Sequence, residues 1–268
     1  MTELTNDPLY RRLCNKGGQI VINPRHPGTL HCITDEHDPH IAEYKRALDE
    51  IARMGEHLAG WVLTGGLAIP ATLGQFYRRH RAIHLGVESA ALPALLNAVS
   101  EQGYYPFART QMKRISETQK RDIYIPLTPE EIQKLSRLEK LGSTMMGFGD
   151  KSENIRLIKM FSEIITPHED LLSYLDLYIH RDQGDKLLSN DDKPRPLQRY
   201  FEGESYHTSN GRVLHLVNLS YLKTIKKERY EKNRRSWVKN RKERSKTDQY
   251  DLQKIAEYEQ RPHTSPAI

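Results

Sequence analysis

Two adjacent glycines, a run of basic side chains and a small number of spaced carboxylates carry the chemical potential of this sequence. Gly65-Gly66 follows Trp61-Val62-Leu63-Thr64 and precedes Leu67-Ala68. A strand, a diglycine turn and a helix start in that order aim backbone N–H groups outward at a helix N-terminus. An anion such as phosphate is favoured there, and glycine lets it approach closely. Taken alone, such a pair is more often a plain turn. Arg78-Arg79-His80-Arg81 comes next and leads into Ala82 to Val87. Basic residues at such a turn suit phosphate contact and equally a solvated surface. Residues two apart on a strand share a face. Ile83, Leu85 and Val87 are therefore expected in the core, with Ala82, His84 and Gly86 facing the diglycine turn. The same alternation in Tyr174 to Ile179 sends Leu175, Leu177 and Ile179 inward and Tyr174, Asp176 and Tyr178 outward.

Together these stretches resemble the nucleotidyltransferase superfamily, with the minimal nucleotidyltransferases, the lincosamide and aminoglycoside adenylyltransferases and the abortive-infection toxins nearest in pattern. That pattern is a strand ending in Gly-Gly, a helix opening on a small residue, then Arg-x-His-x-Asp-hydrophobic-Asp on the next strand. Here the glycines are Gly65 and Gly66, the small residue is Ala68, and the basic pair is Arg78 or Arg79 with His80. Lys223 and Lys246-Thr247-Asp248-Gln249-Tyr250-Asp251-Leu252 resemble the family's Lys and Lys-Asp-x-x-Asp-Leu elements. The resemblance implies transfer of a nucleoside monophosphate from a nucleoside triphosphate to a hydroxyl on a small molecule, RNA or protein. It also implies Mg²⁺ or Mn²⁺, with Asp176 at the place of the third carboxylate. Thr64, Gly65, Gly66, Arg79, His80 and Lys223 are then the expected nucleotide-binding residues.

The two family aspartates, however, fall on Ala82 and His84. Mg²⁺ takes hard oxygen ligands in an octahedral shell. A methyl group offers none, and imidazole suits Mn²⁺ or Zn²⁺ better. Asp176 and His84 are left as the metal-ligand candidates, with Asp176, His84 and the Ala82 position as the catalytic candidates. Three readings stand. The active site is degenerate, leaving a non-catalytic nucleotide- or RNA-binding module or a toxin–antitoxin component. Alternatively, disabling substitutions sit in an active enzyme. Or the carboxylates come from elsewhere, from Glu88, Asp122 and Asp176.

Charge is concentrated. Twelve Lys or Arg face three Glu between Lys223 and Lys246, an excess of nine in a chain whose net charge is +6. Such a segment is a solvated helix face or a surface for RNA or another polyanion. The chain has 268 residues, 37% hydrophobic and 28% charged, enough for a substantial core. No run approaches the ~20 apolar residues of a membrane helix. Cys14 and Cys32 make no disulfide framework, so a cytoplasmic location is expected. His31, His37 and His40, with Asp35, Glu36 and Asp38, match no metal-ligand spacing and read as a polar loop. Oligomeric state is not legible.

Around these residues the expected elements are an extended lead-in over 1–38 and a nucleotidyltransferase-like core over 39–220. A basic helical region over 221–260 and a tail over 261–268 follow. Asp38-Pro39 opens a helix, with Asp38 able to cap it. Ile41, Tyr44, Leu48, Ile51 and Leu58 recur at helical spacing. Strands are expected at 19–22, 61–63, 82–87, 122–125, 155–160, 174–179 and 213–217. Helices are expected at 67–73, 92–99 and from the Thr128 capping box to Gly142, with 184–205 a loop. The fold class is α/β (α+β), a mixed sheet flanked by helices and followed by a helical C-terminal part.

Overall fold

Asp7-Pro8 begins the chain's architecture with a signal that the lead-in reading overlooks. In the computed structural model, which describes residues 2–15, 20–22, 30–109, 113–114, 120–137, 141, 155–160, 171–182, 186–189, 195–196 and 200–261, this end is helical. Helices α1 (Thr2–Asn6) and α2 (Pro8–Asn15) replace the expected extended segment. The Asp7 carboxylate accepts from the N–H groups of Leu9 and Tyr10, and proline at the first helical position loses no needed donor. Leu4, Tyr10 and Leu13 are buried. Strand β1 (Ile20–Ile22) follows. Helix α3 (Pro39–Met54) starts by the same device, Asp38 accepting from His40 N–H.

Strand β2 (Trp61–Thr64) runs directly into α4 (Gly65–Leu73), which Gly74 ends in the left-handed conformation. Then come β3 (Ile83–Glu88), α5 (Leu92–Ser100), β4 (Tyr104–Arg109), β5 (Lys113–Arg114) and β6 (Lys120–Pro126). Strand β4 is not among the expected strands, because its Pro106 interrupts an otherwise aromatic run. Helix α6 (Pro129–Ser136) carries the full reciprocal cap between Thr128 and Glu131; the expected stop at Gly142 lies outside the described residues. Strands β7 (Ile155–Lys159) and β8 (Tyr174–Asp182) precede β9 (Lys186–Ser189) and β10 (Arg195–Pro196), which occupy part of the expected loop. A hairpin of β11 (Ser205–His207) and β12 (Val213–His215) leads to α7 (Leu219–Asn233) and α8 (Lys239–Glu259). The expected tail beyond Arg261 lies outside the described residues.

The main sheet runs β1-β6-β4-β7-β8-β3-β2. Neighbours along it are antiparallel except β3 and β8, which are parallel. Strands β3 and β8 alternate as expected, with Ile83, Leu85, Val87, Leu175, Leu177 and Ile179 all buried. Among the described residues no helix is long and apolar enough to cross a membrane. Helix α4 contacts β2 and β3 on one side and α7 and α8 on the other. The C-terminal pair is thereby laid over the diglycine turn.

Candidate functional site

The register of four neighbouring strands builds one row of polar side chains. Thr64 on β2 pairs with His84 on β3, His84 with Asp176 on β8, and Asp176 with Arg156 on β7. Paired residues share a face of the sheet, so the four stand side by side. His84 Nε2 lies 3.7 Å from Asp176 Oδ2. Arg156 donates to both oxygens of that carboxylate, Nε to Oδ1 at 2.6 Å and Nη2 to Oδ2 at 3.0 Å. Its guanidinium also lies over the rings of Tyr124 and Tyr174. Tyr174, expected on the outward face, is buried because Arg156 covers it.

Above the row lies the diglycine turn. Gly65 has φ +73°, and a β-carbon there would meet His84 Nδ1 at 2.5 Å. One at Gly66 would meet Arg78 Nη2 at 2.8 Å and His80 Nδ1 at 3.2 Å. The missing side chains therefore make room for three basic groups as well as for backbone approach. Thr64 itself is buried and its side chain makes no cap hydrogen bond to α4.

Helix α8 answers those basic groups with two carboxylates. Arg78 donates to Asp251, Nε to Oδ1 at 2.6 Å and Nη2 to Oδ2 at 2.9 Å. Lys226 on α7 bridges Asp251 at 2.5 Å and Asp248 at 3.1 Å. Arg229 donates twice to Asp248, from Nε at 2.6 Å and from Nη2. Tyr77 hydroxyl adds a fourth bond to Asp251 at 2.9 Å. Asp248 and Asp251 are wholly buried; charges so placed are tolerated only when paired and hydrogen-bonded. Burial opposes ionisation of Asp251, but Lys226 and Arg78 outweigh it and hold its pKa well below the carboxylate range. Burial lowers the Lys226 pKa, against the pull of Asp251.

Between these walls lies a cavity of about 250 Å³, lined by Gly65, Gly66, Ala82, His84, Arg78 to Arg81 and, from the C-terminal helices, Lys226, Arg229, Arg244 and Asp248. Among the described residues Asp248 is the one carboxylate in the lining, and its oxygens are already bonded. The pKa values of both histidines are lowered, by burial first in each case. Arg78 adds to this at His80, while at His84 Asp176 opposes it and nearby cations reinforce it. Both imidazoles are neutral at neutral pH, and His80 Nε2 is buried without a hydrogen-bond partner among the described residues. The geometry is that of an anion receptor with a cationic wall and a helix N-terminus at its floor.

The expected site residues thus divide. Gly65, Gly66, Arg79, His80, Ala82 and His84 line one cavity, and Asp176 borders it through His84. Lys223 does not join them: it is ion-paired with Glu259 on the surface. The cause is helical period, since Leu222, Lys226 and Arg229 recur on the inward face of α7 and Lys223 stands one residue off that stripe. Lys226, Arg229, Arg244 and Arg156 are site residues that the sequence reading misses. A helical count through α7 would find the first two; no local signal marks Arg156. Glu88 sits at the opposite end of β3 from the turn, in register with His180. Asp122 lies on β6, with three strands between it and β3. Both stand away from His84 in the sheet.

A divalent cation fits this donor set poorly. Ala82 has no donor, both Asp176 oxygens are engaged by Arg156, and the surrounding groups are cationic. Among the described residues no three His, Cys, Asp or Glu side chains converge in a metal-binding group.

Residues 48–136 match the family model described as aminoglycoside-2''-adenylyltransferase. This segment belongs to the nucleotidyltransferase superfamily. The match ends before β7, β8 and the C-terminal helices, so the superfamily segment holds the diglycine turn, Ala82 and His84. Among solved structures, the chain is similar to a lincosamide antibiotic adenylyltransferase, LnuA, crystallised with lincomycin. Identity is 14%, coverage is 80% of this chain and 96% of that one, and the TM-score is 0.40. No curated protein matches.

Proposed function

We propose that the cavity binds the phosphates of a nucleoside triphosphate, ATP in the simplest case, without the two-metal transfer that defines active nucleotidyltransferases. The observation that carries this reading is the exchange of charge at the catalytic position. Where two aspartates would gather Mg²⁺, the lining offers a methyl group, a neutral imidazole and a surplus of arginine and lysine. Asp176, the remaining carboxylate, is held by Arg156. Fixed cations here replace the ion that would otherwise neutralise phosphate. The volume falls just below the ~300–1,000 Å³ of typical ligand pockets, so it suits phosphates better than a whole nucleotide; base and sugar would lie outside. Cys14 and Cys32, both thiols outside any disulfide, accord with a cytosolic protein. Transfer to a hydroxyl, as on an antibiotic or another acceptor, is the second reading. The superfamily match at residues 48–136 supports it.

Calorimetric titration with ATP, with and without Mg²⁺, separates the two. Metal-independent binding is expected, and chelator is expected to leave it intact. Arg244→Ala, which removes an exposed lining cation, is expected to weaken it about tenfold or more, as for loss of a charge-assisted hydrogen bond. Turnover of α-labelled triphosphate by the unaltered chain would overturn the non-catalytic reading. Loss of triphosphate binding altogether would remove the nucleotide assignment.

A further inference from the structure

The basic C-terminal segment is not one surface. Most of its cations fall into three groups once their neighbours are known. Lys226 and Arg229 are spent on Asp248 and Asp251. Lys223, Arg234 and Lys246 pair with Glu259, Glu231 and Glu243 on the exterior. The remaining concentration lies at the turn between α7 and α8, where Arg235, Lys239, Arg241 and Lys242 are exposed with no carboxylate partner among the described residues. Between them project Trp237, at 101% exposure, and Val238, at 54%. The turn is held by hydrogen bonds from Ser236 N–H to Asn233 O and from Val238 N–H to Ser236 Oγ.

A fully exposed indole ringed by unpaired cations is an unfavourable arrangement for a solvated turn and an apt one for a particular ligand. We infer that this turn binds single-stranded nucleic acid, Trp237 stacking on an unpaired base while Arg235, Lys239, Arg241 and Lys242 contact phosphates. Aromatic stacking with a positive track is the general device for such strands. The track continues inward: Arg244, which lines the cavity, follows Arg241 at i,i+3 on α8, neighbours on the helix surface about 4.5 Å apart along the axis at ~1.5 Å per residue. A strand seated at the turn can therefore approach the cavity along one helix. An anionic membrane would also attract the cations, but it favours a helix with a continuous apolar face. Here the exposed part of α8 next to the turn is polar, and only Trp237 and Val238 offer apolar surface. The inference concerns a surface outside the cavity and does not require that the cavity bind nucleotide.

The test uses the full chain and a short fluorescein-labelled oligouridylate followed by anisotropy. Unlabelled oligomer and phosphatidylserine vesicles are titrated separately against tryptophan emission. The chain has two tryptophans, and Trp61 is buried, so quenching reports on Trp237. Salt-sensitive binding of the oligomer with quenching is expected. Trp237→Ala is expected to weaken it about tenfold, within the range for loss of one stacked base. The double variant Lys239→Ala/Arg241→Ala is expected to flatten the salt dependence, by about 0.7 in log–log slope for each phosphate left without its cation. All three side chains are exposed, and an unchanged cooperative unfolding transition in both variants would show that the fold survives. Oligomer binding that neither variant weakens would overturn the inference. So would an absence of oligomer binding in protein that unfolds cooperatively, or vesicles shifting the emission where oligomer does not. Oligomer binding that depends on Trp237, in protein that fails to bind ATP, would leave this inference standing and sink the cavity assignment alone.

Discussion

At position 65 the absence of a side chain does two separate things. It permits φ +73°, and it admits His84 Nδ1 to within 2.5 Å of where a β-carbon would be. Gly65→Ala therefore meets both backbone strain, of order 1–2 kcal/mol, and a collision with a ring fixed by its place on β3. The expected result is a lowered thermal midpoint together with weakened ATP affinity in calorimetry. A variant of unchanged stability and affinity would show that the turn yields freely and does not shape the cavity. The neighbouring residues add no negative charge: Ala82 has no charged group, the His84 pKa is lowered, and Arg156 pairs with Asp176.

Helices α7 and α8 form a lid whose attachment is electrostatic as well as apolar. Asp251 receives Tyr77, Arg78 and Lys226, which come from two parts of the chain far apart in sequence. Asp251→Asn keeps the shape but leaves the buried Arg78 without its counter-charge and Lys226 with Asp248 alone. Breaking one side of a buried pair costs about 3–5 kcal/mol, so denaturant unfolding should show a loss of that order. A loss below about 1 kcal/mol would mean that the network locates the helices without stabilising them. Lys223→Ala, by contrast, removes only an exposed pair with Glu259, a class of interaction contributing at most ~1 kcal/mol.

For the molecule as a whole, the two half-buried cavity histidines set a pH dependence. His80 and His84 have folded-state pKa values below the ordinary 6.5. In the unfolded chain they take up protons as pH falls through about 6.5, while in the folded protein they do so only at lower pH. The unfolded state then binds more protons, so stability declines as pH drops below that value. Asp251 works in the same direction at lower pH, since its depressed pKa contributes stability that is lost once unfolded carboxylates protonate. Urea midpoints followed from neutral to mildly acidic pH should fall, and the fall should shrink in His80→Asn and His84→Asn variants. A midpoint insensitive to pH across that interval would contradict the assignment of neutral, desolvated imidazoles.

What the sequence determined by itself was local. Caps announce themselves in residue type, as at Asp38-Pro39 and Thr128, and strand alternation turns Ile83, Leu85 and Val87, and Leu175, Leu177 and Ile179, into the core. The diglycine turn and the Ala82 and His84 positions after it were equally legible, because they lie close together in the sequence. Asp7-Pro8 carries the same kind of cap, legible in principle though absent from the expected elements. The tertiary structure alone decided which partners met. Arg156 reaches Asp176 only because β7 and β8 are paired in a register that no local pattern fixes. Lys226, rather than Lys223, closes on Asp248 and Asp251 because α7 turns that face toward α8 and the sheet. The charge of a site depends on which buried groups neutralise one another across long sequence separations. Composition counts those groups without saying where they meet, so the cavity's cationic character waited on the fold.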